Sequence, residues 1–265
     1  MGGCWFLLFG LVLARVGGLT MTAPVFGTAA VPLQVRLLLA ATLALLVAPL
    51  QWQGTASLLA VLSLGGPVNY LVLLGCEAAI GACLGLGVLV FVHGMTLAGE
   101  LIGQTAGLGI AEVFDPMLDE NVPLLSQLMF LFGVTIFLCV GGHRMLMAGL
   151  LDTFRAIPPG GGSLPGSVAE SFTTLVSLSF SLAIRVAAPA VTALLLATLI
   201  VGLIGRTLPQ LNILALGFGL NALLALAALA LSLGVAAWAF QDQIGPAMEA
   251  IFNALKTPLP MKWLS

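Results

Sequence analysis

Apolar residues run along this chain in blocks of about 20, separated by short clusters of glycine, proline and polar residues, as in helices that cross a bilayer and satisfy every backbone group internally. The blocks predict helices over 3–22, 33–50 and 68–93, with a shorter apolar piece over 56–64 that ends at Gly65-Gly66-Pro67. A further helix runs over 122–140 and is extended past Gly141-Gly142-His143 to about 155, and two more cover 170–205 and 213–240. Pro158-Pro159-Gly160-Gly161-Gly162 breaks regular structure between them, and 241–265 reads as a tail carrying both lysines, Lys256 and Lys262. The segment 94–121 differs from the rest. Gly99, Gly103 and Gly107 recur every four residues, a spacing that lets another backbone approach, and five acids follow or interleave, so the segment reads as a loop or broken helix.

Lengths add a puzzle. At 1.5 Å per residue the block 170–205 would reach roughly 54 Å, far more than a hydrocarbon core of about 30 Å, so either Pro189 kinks it or it protrudes into an assembly. The charge signals also conflict: Arg206 flanks one end of the last helix and the two lysines lie beyond the other, so they cannot all mark the cytoplasmic side of one simple span. The opening residues lack a basic stretch and lead into a helix carrying Arg15, so the first helix is expected to stay in the mature protein.

Composition agrees with the pattern. Of 265 residues, 60% are apolar and 7% charged, with a net charge of −2, too few polar groups to cover a water-facing surface. The same numbers exclude a disordered chain, a collagen-like chain and a disulfide scaffold, and the absence of a basic patch argues against a nucleic-acid partner. The fold expected is all-α: a polytopic membrane protein of long helical hairpins, with broken helices and one glycine-rich loop.

Arg15, Glu77 and Arg185 interrupt apolar helices, where a charge costs about 2.5–3.5 kcal/mol on insertion scales, so each needs a partner. An ion pair within the chain, a contact with another subunit and a proton or ion pathway all meet that need. Gly81 and Gly85 give the Glu77 helix a close-packing stripe. Cys76 and Cys83 share a helical face as small apolar residues, and His93 and His143 read as polar helix-end residues. No nucleophile elbow, phosphate loop, dinucleotide turn or zinc spacing occurs, so no catalytic, cofactor-binding or metal residue is expected, and no enzyme.

The order of motifs resembles one family. RVGGLTMTAPVFGTAAVPLQVR (15–36), GCEAAIGACLGLG around Glu77, GELIGQTAGLGIAEVFDPMLDENVP (99–123), GGHRMLMAGLLDTFRAIP (141–158) and GRTLPQLNILALGFGL (205–220) follow in the order seen in the FliR family of flagellar export proteins and their injectisome relatives. The resemblance implies a core subunit of the flagellar type III export gate in the bacterial inner membrane, at the basal body. It would assemble with FliP-like and FliQ-like subunits and an FlhB-like switch protein to pass unfolded flagellar proteins. It further implies one export-gate domain, with 1–158 FliP-like, 170–240 a FliQ-like hairpin, and a plug over about 104–123. Gln104, Gly107, Gly109, Glu112, Phe114, Asp115 and Pro116 would belong to that plug. Arg15, Arg36, Glu77, Arg185, Arg206, Pro209, Gln210 and Asn212 would serve assembly or carry intramembrane charge. Gly141 stands where the family often has Asn. The alternative is a secondary transporter or permease for a small solute or ion, whose sign would be paired broken helices in two similar halves. A lipid-precursor or cell-wall-precursor carrier fits the composition alone, whereas an intramembrane enzyme would need a paired nucleophile and base within the helices, which the two isolated histidines do not supply.

Overall fold

The computed structural model describes residues 2–25, 27, 31–107, 123–161, 167–207 and 213–256, and among these there is no strand. In chain order the helices are α1 (Gly2–Thr22), α2 (Leu33–Val47), a 3₁₀ segment (Ala48–Gly54), α3 (Thr55–Thr105), α4 (Leu124–Cys139), α5 (Gly142–Ala156), α6 (Ser167–Thr207) and α7 (Ile213–Lys256). The all-α expectation holds. Five helices among the described residues are long and apolar enough to cross a membrane, six if α4 and α5 together make one span.

Three boundaries differ from the sequence reading. Residues 55–105 form one helix that runs through Pro67, where a stop is expected. A proline removes one backbone donor, whereas unwinding apolar chain strands several polar groups, so the continuous helix costs less. The expected loop over 94–121 is helical as far as Thr105, which also places His93 inside a helix rather than at its end. The presumed tail stays helical through Pro246 to Lys256, because Gln243, Ile244, Ala247, Met248 and Ile251 bury one stripe of it. Helix α6 likewise runs unbroken through Pro189.

The chain divides into two compact units. The first comprises Met1–Phe91, Gly141–Val176 and Pro246–Ser265. Here α1 buries Leu8, Leu11, Val12, Arg15, Val16 and Leu19, a stripe at helical spacing. It lies along α3 in parallel, since Tyr70 donates to the Leu7 carbonyl (3.0 Å) at one end and Thr22 to the Ala82 carbonyl (3.3 Å) at the other. Glycine makes this approach possible: a Cβ on Gly81 would overlap the Arg15 carbonyl, and one on Gly18 the Ala78 carbonyl. Helix α2 buries only Ala40, Ala44 and Val47, leaving leucines such as Leu38 and Leu46 exposed.

The second unit comprises Val92–Val140 and Ser177–Gly245. In it α3 and α4 form an antiparallel hairpin: Gly99 lies against the Leu125–Ser126 backbone and Met95 against Gly133. The glycines of the four-residue repeat serve different ends. Gly99 admits a neighbouring backbone, Gly103 touches the Leu125 side chain, and Gly107, at φ +75°, ends α3 in the left-handed conformation with its N–H on the Gln104 carbonyl (3.1 Å). Helices α6 and α7 form the other hairpin, antiparallel by the pairs Ser181 with Gln243 and Arg185 with Asp242 (both 3.4 Å).

Candidate functional site

The first unit centres on a buried charge. Arg15 comes from the middle of α1 and Glu77 from α3, and Arg15 Nε donates to Glu77 Oε2 at 2.6 Å with both side chains fully buried. Arg15 and Glu77 thus form an ion pair within the chain, one of the three arrangements that meet the need of such charges for a partner. The other carboxylate oxygen, Oε1, accepts the backbone N–H of Gly160 at 2.9 Å. Arg15 Nη1 reaches Thr153 Oγ1 at 3.4 Å, while the Thr153 hydroxyl donates to the Leu150 carbonyl at 2.7 Å. The guanidinium lies 4.3 Å from the centre of the Phe154 ring, a cation–π contact. Arg15 Nη2 is buried without a hydrogen-bond partner among the described residues.

The local sequence explains how Gly160 reaches the carboxylate. Ile157 precedes a proline, which disfavours helical geometry, and it is extended at φ −128°, so α5 stops there. Pro158-Pro159-Gly160-Gly161 then closes a turn in which the Gly161 N–H donates to the Pro158 carbonyl (2.9 Å). Proline at the second position and Gly160 at φ +85° in the third are the residues a type II turn requires. The turn aims the Gly160 N–H at Glu77. One carboxylate therefore joins α1, α3 and the chain that leaves α5.

Chemically this cluster holds and orients. Each carboxylate oxygen has one strong donor, and charge-assisted bonds in a dry setting are short and hard to break. A fully buried pair is costly to lose by halves, since the surviving charge stays desolvated. No group of three residues able to hold a metal occurs among the described residues, and Cys76, Cys83 and Cys139 are free thiols.

The other singled-out residues lie apart from this pair. Arg185 pairs with Asp242 at 3.4 Å, and their side chains are 49% and 53% exposed. Arg36, at the start of α2, donates from Nε to the Val31 carbonyl at 2.9 Å. Arg206 is exposed in the last turn of α6. Gln104 is exposed on α3 and donates to Glu100 Oε1 at 3.1 Å, next to the Gly107 cap. Gly109, Glu112, Phe114, Asp115, Pro116, Pro209, Gln210 and Asn212 lie outside the described residues. His93 stacks obliquely on Phe130, ring centres 5.4 Å apart, and His143 is exposed near the start of α5, at a helix end as expected. Sequence reasoning missed Thr153, Phe154, Gly160 and Asp242. The unbalanced charges called for partners, but only the Pro-Pro-Gly-Gly run carried a local signal, that of a turn.

Comparison with known proteins follows the same residues. The sequence model of bacterial export proteins, family 1, matches residues 6–247. The flagellar biosynthetic protein FliR of Escherichia coli is 30% identical over 251 residues, 95% of this chain and 90% of its own length. That of Caulobacter vibrioides is 31% identical over 234 residues (88% and 91%), and that of Bacillus subtilis 30% over 229 residues (82% of each). With the match spanning both members of the ion pair and both hairpins, the chain belongs to family 1 of the bacterial export proteins, the FliR family whose motifs its sequence carries.

Proposed function

We propose that this integral membrane protein is a core subunit of the flagellar type III export gate in the bacterial inner membrane, at the basal body. In this reading it assembles with FliP-like and FliQ-like subunits, engages an FlhB-like switch protein, and forms with them the channel through which unfolded flagellar proteins leave. The observation that carries the proposal is the similarity to FliR over 95% of the chain. Residues 1–158 act as the FliP-like half and 170–240 as the FliQ-like hairpin. The protein acts as conduit and gate rather than as an enzyme, with energy supplied by other components.

The gate is assigned to 104–123. Helix α3 stops at the Gly107 cap and α4 starts after Pro123, so an acidic, glycine-containing segment joins the two ends of a packed hairpin. Gln104 and Gly107 sit at its root, and Gly109, Glu112, Phe114, Asp115 and Pro116 within it. Deleting Gly107–Glu112 is expected to leave the complex assembled and to raise ion leak across the membrane. Background conductance in an assembled deletion variant refutes the gate. Solute uptake by the chain alone in liposomes refutes the export reading in favour of a transporter.

A further inference from the structure

Two glycines on different helices of the first unit make room for two successive side chains near the end of α7. A Cβ on Gly87 of α3 would stand 2.8 Å from Ile251 Cγ1 and 3.2 Å from Leu175 Cδ1 of α6, and one on Gly149 of α5 would overlap the Phe252 ring at Cε1 and Cζ. Successive residues project about 100° apart around a helix, so this end of α7 is wedged between α3 and α5. Ala247, Met248 and Ile251 are buried there. Glycine inside a helix is less favourable than alanine, and at Gly149 the space that the missing Cβ leaves is what the Phe252 ring fills. This notch lies one turn before Thr153 on the same face of α5. Thr153 and its neighbour Phe154 are the α5 side chains that meet the Arg15 guanidinium, at 3.4 Å from Nη1 and with the ring centre 4.3 Å away.

We propose that the end of α7 is a latch and Phe252 its positioning residue: seated in the Gly149 notch, the ring holds α5 in register against α1 and α3 and so keeps Thr153 and the Gly160 N–H on the Arg15–Glu77 pair. The polar ties do not set this register alone. The Arg15–Thr153 contact is 3.4 Å long, and the Thr153 hydroxyl donates within its own helix, to the Leu150 carbonyl at 2.7 Å. The Gly160 N–H reaches Glu77 from beyond Ile157, where α5 has already stopped. Leu146, Leu150 and Phe154 bury the rest of this face, and burial of that kind fixes how deep a helix lies, whereas interlocking shape gives it one position along its axis. That position matters for the carboxylate. A slide of α5 by the rise of one residue, about 1.5 Å, is enough to break the 2.9 Å bond from Gly160. A displacement that lifts Phe252 therefore loosens the Gly160 turn first and leaves the contact of α1 with α3, made at Gly18 and Gly81, in place.

The test is amide hydrogen exchange of the full chain in its co-purified complex, read by mass spectrometry over 150–161, over the end of α7 and over α4 as a control. Phe252→Ala is expected to raise exchange over 150–161 by at least about tenfold and to leave α4 unchanged. Gly149→Ala, which pushes the ring out of its notch, is expected to do the same. Phe252→Leu lacks the ring atoms that an alanine at 149 strikes, so adding it to Gly149→Ala is expected to return 150–161 toward the wild-type rate. Faster exchange confined to the end of α7 overturns the latch, since Phe252 then holds only its own helix. An equal rise in α4 overturns it as well, in favour of a general loss of stability. Should Phe252→Ala yield no complex, Gly149→Ala is compared with Gly149→Ala plus Phe252→Leu by the amount of complex recovered. More complex from the double variant is expected, and equal or smaller amounts overturn the proposal.

Discussion

Arg15 Nε and Glu77 Oε2 stand 2.6 Å apart although 62 residues separate them in sequence, and neither side chain reaches the surface. The second carboxylate oxygen belongs to the Gly160 N–H, so one acid fixes two helices and a turn.

Removing one member of this pair strands the other. Arg15→Ala and Glu77→Ala are each expected to cost about 3–5 kcal/mol, read as a loss of thermal stability of the detergent-solubilised protein. Arg15→Met with Glu77→Leu, which removes both charges and keeps volume, is expected to recover much of that loss. Additive losses in the double variant would show that the two charges act separately.

Gly160 occupies a left-handed conformation at φ +85°, where a Cβ crowds the following carbonyl. Gly160→Ala is expected to destabilise by about 1–2 kcal/mol, with a smaller effect from Gly161→Ala next to it. Equal shifts in melting temperature for the two variants would remove the role assigned to this turn.

Helix α3 contains its own control for close packing. A Cβ on Gly81 or Gly85 collides with α1, while Gly75 has nothing within 4 Å. Gly81→Ala and Gly85→Ala are expected to cost about 1–3 kcal/mol through overpacking. Gly75→Ala is expected to be neutral or to stabilise by up to about 1 kcal/mol, because alanine loses less backbone entropy in a helix. Urea midpoints of the three variants give the ranking, and a Gly75 variant as damaged as the others would contradict it.

Arg185–Asp242 is the opposite case, half exposed and held by one long contact. Arg185→Ala is expected to cost under about 1 kcal/mol, in line with exposed pairs elsewhere. The exchanged pair, Arg185→Asp with Asp242→Arg, is expected to melt within the error of the wild type. A loss as large as that for Arg15→Ala would place this pair in a dry environment.

Apolar run length and the scarcity of charge were enough to read an all-α membrane protein from the residues, because lipid forces backbone hydrogen bonds inside each segment and so ties helix to hydropathy. The ordered motifs from Arg15 to Leu220 likewise sufficed for the family. Helix ends were read less well. Pro67 and Gly99 look like breaks in a local reading, yet each lies inside a helix, since packing and the cost of unsatisfied backbone outweigh the propensity of one residue.

Charge by itself required that Arg15 and Glu77 find partners, because an isolated charge is too costly in an apolar interior. Which partners they find was decided by the tertiary structure alone. Pairing across 62 residues depends on how α1 lies along α3, and that depends on glycines whose role appears only once the neighbouring backbone is present. The same holds for Gly160 and Thr153: a turn residue and a helical threonine become ligands of a buried ion pair only when folding brings them to it.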